Sequence, residues 1–153
     1  MATAAEGPQF PNLTPTNHSE TSEIDYGYNC IAWAAGDNKR WWWPQPETGY
    51  MHWPAGARRE ATRESFIEAF ETLGYSALAS PDTSLEPGAE KVAIFENAAG
   101  KPTHAARQLA SGAWTSKLGT NIDIEHQTAD GVEGPTYGKL AVVLVRKAET
   151  KSL

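Results

Sequence analysis

Apolar side chains recur at near-helical spacing at Phe66, Ile67, Phe70 and Leu73, which predicts a helix that starts after Thr62 as N-cap and stops at Gly74. A shorter helix is predicted over residues 30–35, where Asn29 can cap a mostly apolar run that Gly36 ends. Downstream the pattern changes to short apolar or alternating runs divided by turn residues. Residues 91–95 read as a strand, 97–101 as its turn and 103–109 as a second strand. Ser111-Gly112 reads as a hairpin turn, and residues 113–118 as the third strand of a meander. Residues 123–126 alternate briefly, and 137–147 form the most hydrophobic strand, expected near the centre of the sheet. Helices first and an antiparallel sheet second give an α+β class.

Two segments stand apart from this periodicity. Residues 1–22 are rich in Pro, Thr, Asn and Ser, with Phe10 and Leu13 as their sizeable apolar side chains. They cannot by themselves bury enough surface to offset the entropy of ordering, so they read as a flexible tail or a strap laid over a single domain spanning residues 23–148. Residues 41–44 (Trp41, Trp42, Trp43, Pro44) and 49–54, which include His52 and Trp53, form an aromatic stretch whose prolines forbid a long helix. Its rings either cover one end of the core or line a groove for a peptide or sugar.

The chain has 153 residues, 40% hydrophobic and 21% charged, with a formal charge of -6, which suits one soluble core and argues against a nucleic-acid partner or an anionic membrane. The longest apolar run, residues 140–145, is far short of the ~20 needed to cross a bilayer, and the N-terminus lacks a secretory pattern. One cysteine excludes an internal disulfide and fits a reducing, cytoplasmic compartment, with export by a route that leaves no N-terminal mark as the alternative.

That cysteine, Cys30, follows a polar residue at a helix start, where the backbone dipole can lower a thiol pKa. A thiol nucleophile also needs a base, a group that orients the base, and donors for the oxyanion. His104, at the start of a strand, is the candidate base, with Asp123 or Glu125 as the orienting carboxylate and Ser116 as a neutral possibility. The backbone N–H of Cys30 with Asn29 or Tyr28 would form the oxyanion hole, and Trp33 and Trp114 complete the candidate substrate-binding set. Arg107 and Lys117, near His104 in the meander, could hold a substrate carboxylate or lie on a solvated face.

The segments YNCIAWA (28–34), PTHAARQL (102–109), WTSKLG (114–119) and DIEH (123–126) resemble the motif set of an uncharacterised bacterial family over about residues 24–147. At greater distance the layout resembles the papain-like superfamily, including transglutaminase-like and NlpC/P60-like hydrolases. That resemblance implies N-terminal helices packed on an antiparallel sheet, with His104, Gly112 and Trp114 echoing the transglutaminase-like His–turn–Trp pattern. The acidic member of that pattern falls where this chain has Ser116 and Lys117, which moves the third residue to Asp123 or Glu125.

The expectation is a cysteine-dependent hydrolase or acyltransferase acting on an amide bond of a peptide or protein, without metal or cofactor. A zinc site from Cys30, His52, His104 and His126 has the ligand types but no short paired spacing, and His18 lies in the N-terminal segment. The alternative from another class is a non-catalytic binding or immunity-type module that uses the Trp-rich loop as its contact surface.

Overall fold

Seven strands of the described residues pair into one antiparallel sheet in the order β1-β6-β5-β4-β3-β7-β2. They are β1 (His18–Glu20), β2 (Ser76–Ala77), β3 (Ala89–Glu96), β4 (Pro102–Gln108), β5 (Trp114–Lys117), β6 (Asp123–His126) and β7 (Lys139–Lys147). Two helices precede most of them, α1 (Cys30–Ala34) and α2 (Arg63–Glu71). The computed structural model describes residues 9–44, 51–118 and 122–148. Residues 1–8, residues 49–50 of the aromatic stretch and Gly119 of the third motif lie outside this description.

Local chemistry explains the helix ends. Asn29 caps α1 by accepting from the Ala32 amide at 3.1 Å, and Gly36 leaves the helix at φ 87°. Thr62 accepts from the Ser65 amide at the start of α2, and Gly74 follows its end at φ 94°. The residues between them cannot extend either helix, because Trp42 and His52 pair as an isolated parallel bridge and Pro44 and Pro54 punctuate the path.

The papain-like expectation is therefore overturned. The protein is mostly antiparallel sheet, with two α-helices of five and nine residues among the described residues, and not a papain-like set of N-terminal helices on a sheet. Nor is the most hydrophobic strand central. β7 lies between β3 and the two-residue β2, so only that short pairing separates it from the sheet edge. Its hydrophobicity reflects burial of both faces of the strand.

Each face has its own cover. On one, here the helix face, Val92, Ile94, Ala105, Val142 and Leu144 pack with α1, α2, Trp42 and Trp53. On the other, the strap face, Ala93, Phe95, Ala106, Trp114, Ile124 and Val143 pack beneath Phe10, Leu13, Tyr137 and the 3-10 turn Ala129–Val132. Residues 9–22 thus lie against the domain as a strap, and β1 extends the sheet beside β6 in the register Ser19 opposite Glu125.

The described part of the Trp-rich stretch contributes to the core, one of the two placements its sequence allows. Trp42 and Trp53 are buried, and the rings of Trp43 and Trp53 meet that of fully buried Phe66 edge-on at 5.4 and 5.1 Å.

Gly138 is where the backbone tolerates least. At φ 77° a Cβ there would stand 1.9 Å from the Glu96 carbonyl oxygen, whereas Gly100, at φ 76°, has nothing within 4 Å. Gly138→Ala is expected to lower the melting temperature by roughly 5–10 °C and Gly100→Ala by roughly 2–4 °C. Equal effects in thermal denaturation would contradict this close approach.

Candidate functional site

Side chains alternate across a strand, so the motifs are sorted before any chemistry is considered. On β4, Ala105 and Arg107 belong to the helix face, and His104, Ala106 and Gln108 to the strap face. On β5 and β6, Thr115, Lys117, Asp123 and Glu125 take the helix face, and Trp114, Ser116, Ile124 and His126 the strap face.

Cys30 and His104 are consequently on opposite sides of the sheet. The sulfur is buried on the helix face, and its thiol lies 4.0 Å from the Thr103 carbonyl. Burial pushes the thiol up to about 11, against partial relief from the backbone N–H groups of Ala105, Ile31 and Cys30 and from the charge of Lys117. His104, wholly buried, stacks on Tyr137 at 3.9 Å within the strap face. The expected nucleophile–base pair does not form, and the rest of the expected site divides with it. Asp123 and Glu125 share the face of Cys30 and cannot orient His104, whereas Ser116 and Trp114 share the face of His104.

On the strap face the hydrogen-bond directions can be deduced. His126 Nδ1 lies 2.7 Å from the Thr128 carbonyl, which only accepts, so Nδ1 carries the proton and Nε2 of the neutral ring accepts. Ser116 Oγ then donates to His126 Nε2 at 2.8 Å and accepts from His104 Nε2 at 3.0 Å. His104 Nδ1 is left without a proton or a partner. A serine donating to an imidazole has the form of a nucleophile and its base, but Ser116 and His126 are 0% and 1% exposed. They form a sealed polar link between three strands.

The helix face carries a different arrangement. Tyr28 donates from its hydroxyl to Asp123 Oδ2 at 2.6 Å, and burial, aided by that carboxylate, pushes the phenol up to about 12. Lys117, fully buried, holds its ammonium 4.1 Å from the centre of the Tyr28 ring and 3.9 Å from Asp123 Oδ1. Burial lowers its pKa, which Asp123 partly opposes. Trp33 donates from Nε1 to Thr115 Oγ1 at 2.9 Å, and the guanidinium of Arg107 lies 5.5 Å from its ring. Asn29 is spent on structure. Beyond its cap it accepts from the Trp42 amide and donates to the Trp42 carbonyl, fastening the aromatic loop to α1.

Tyr28, Trp33, Arg107, Thr115, Asp123 and Glu125 line one recess of about 440 Å³. Two of these lining residues carry a buried atom without a hydrogen-bond partner, the Nε of Arg107 and Oδ1 of Asp123. A larger recess of about 690 Å³ near residues 85–90 shares Arg107, but its other cation, Arg146, is engaged by Glu90 at 3.1 Å and the Leu73 carbonyl at 2.7 Å. No group of three or more His, Cys, Asp or Glu side chains among the described residues could hold a metal ion. No helix among them is long and apolar enough to cross a membrane.

Sequence reasoning found Tyr28, Trp33, Asp123 and Glu125 but assigned them to a thiol site. It missed Thr115 as a wall of the recess and Lys117 as the buried counter-charge of Asp123. Period-two alternation along 102–108 and 114–117 was the available signal, since it sets Arg107 and Lys117 opposite in sense to His104 and Ser116.

The family is defined by the match of a family model to residues 19–145, described as Domain of unknown function (DUF7689). The chain belongs to this family. Comparison with curated proteins and with solved structures returns no match.

The buried imidazoles tie stability to pH. Burial lowers the pKa of His126 from 6.5 to about 4 and that of His104 well below 6.5. The unfolded chain then binds more protons below pH 6.5, so this stability is complete above 6.5 and is lost as pH falls toward the folded values. His126 alone contributes roughly 3 kcal/mol over that window, from its shift of about 2.5 pH units. Urea midpoints are expected to be level from about pH 8 to 7 and to fall steeply from about 6 to 4, less so in His126→Gln. Unchanged stability between about pH 7 and 4 would contradict the neutral network.

Proposed function

We propose that this domain is a non-catalytic binding module whose site is the recess over α1 and strands β4–β6. The observation that carries this reading is that two of the three buried side-chain atoms lacking a hydrogen-bond partner among the described residues belong to that one recess, on Arg107 and Asp123. Buried polar atoms in a folded protein are overwhelmingly paired, so a donor and an acceptor left unpaired on two residues that line one concavity mark it as the place where a polar ligand would be held. Trp33 and Tyr28 supply aromatic walls held by their own hydrogen bonds to Thr115 and Asp123. The recess therefore needs little rearrangement to accept a ligand.

The rival reading is a cysteine hydrolase or acyltransferase built on Cys30. It draws on the position of Cys30 as the first residue of α1 and on the backbone N–H groups near its sulfur. It lacks its expected base, because His104 lies on the other face, and the thiol is buried. Without substrate access, a correctly placed donor set accelerates nothing.

The two readings part on the thiol and on the recess. The binding reading expects iodoacetamide to alkylate Cys30 about two orders of magnitude more slowly than free cysteine near pH 7. It also expects a thermal-shift panel of amino acids, amines, carboxylates and dipeptides to contain compounds that raise the melting temperature by roughly 2 °C or more. These shifts should persist in Cys30→Ala and vanish in Arg107→Gln. Alkylation faster than that of free cysteine, or shifts that need Cys30 and ignore Arg107, would overturn it.

A further inference from the structure

We infer that the ligand of this recess is a small zwitterion, a compound carrying an ammonium and a carboxylate a few bonds apart, as amino acids and short peptides do. This rests on the binding reading and adds the chemistry of the occupant. The sheet register sets the charges. Glu125 pairs with Thr115 and Thr115 with Arg107, so a carboxylate and a guanidinium stand on the same face with one strand between them. At the usual strand spacing their Cα atoms are about 9.6 Å apart.

Neither charge has an ion-pair partner among the described residues. Arg107 and Glu125 form no ion pair among the described residues, and the hydroxyl between them, Thr115 Oγ1, is occupied by the Trp33 N–H. On the neighbouring rung Asp123 faces Lys117 across the β5–β6 pair. The ammonium of Lys117 is 3.9 Å from Asp123 Oδ1, too far for a hydrogen bond, so that buried oxygen, on a residue only 2% exposed, still lacks a donor.

Each class of small ligand can be weighed against this array. A lone anion drawn to Arg107 would meet the carboxylates of Asp123 and Glu125 across the recess. A lone cation drawn to those carboxylates would meet the guanidinium. A molecule with both charges satisfies each end, with its ammonium donating to Asp123 Oδ1 or Glu125, its carboxylate accepting from Arg107 and its carbon chain against Trp33.

The test is calorimetric titration of the full chain with glycine, β-alanine, γ-aminobutyrate and ε-aminocaproate, which lengthen the separation of the two charges, beside butylamine and butyrate. At least one zwitterion is expected to bind about tenfold or more tighter than either single-charge compound. Arg107→Gln should reduce γ-aminobutyrate to the affinity of butylamine, and Asp123→Asn to that of butyrate. Where Asp123→Asn melts too low to titrate, Glu125→Gln, at an exposed position, takes its place.

Equal binding of zwitterion and single-charge compounds would overturn the inference and leave the binding reading intact. Binding of none of these compounds would also overturn it, with the binding reading then judged by the thermal-shift panel and the thiol rate. Tight zwitterion binding unaffected by both Arg107→Gln and Glu125→Gln would place the site elsewhere and likewise defeat it.

Discussion

Strands β3, β4 and β7 are buried on both faces, and this double coverage constrains everything else in the molecule. A strand covered on one side can send polar side chains to water on the other; here each alternate residue enters one of two separate cores. Ala105 meets the helices while Ala106, its neighbour, meets the strap, and His104 and Arg107 are divided by the same rule. No rotamer change brings His104 to Cys30, because the sheet itself lies between them. Contact would require a one-residue slip of β4 that turned every buried side chain of the strand to the wrong core.

The two compartments treat polar groups differently. In the strap face, Ser116 links two neutral imidazoles and the Thr128 carbonyl ends the chain, so the burial cost is met by directed hydrogen bonds, apart from His104 Nδ1. In the helix face, charges gather where the helix cover ends, and the Lys117–Asp123 pair, the Tyr28 ring and the Tyr28 hydroxyl form a cluster of which Tyr28 and Asp123 line the recess. A closed network of that kind gives the sheet a unique register.

The aromatic loop belongs to the structural side of this division. Asn29 uses one side-chain amide to cap α1 and to pair with both backbone groups of Trp42, so the start of the helix and the loop are fastened at one point. Trp43 and Trp53 then close on Phe66 of α2. The short α1 is held by tertiary packing more than by its own propensity, since five residues are too few for a helix to be stable alone. Tyr28 and Trp33, at its start and on its outer side, inherit fixed positions over the recess from this anchoring.

Much of the local structure was legible from the residues. Thr62 and Asn29 as caps, Gly36 and Gly74 as terminators, and the strand at residues 123–126 follow from short-range chemistry, which depends on neighbours in sequence. The candidate residues divide between the faces: Cys30, Tyr28, Trp33, Asp123 and Glu125 share one, and His104, Ser116 and Trp114 lie on the other. What the chain could not disclose on its own was the cover of the second face. The strap's Phe10 and Leu13 and the 3-10 turn at Ala129–Val132 close it, and that closure turns a half-exposed meander into a two-sided sheet. Caps and turns are settled by forces a few residues long; which side chains meet is settled by strand pairing and burial between residues a hundred positions apart, as when the Ser19 strand joins Glu125.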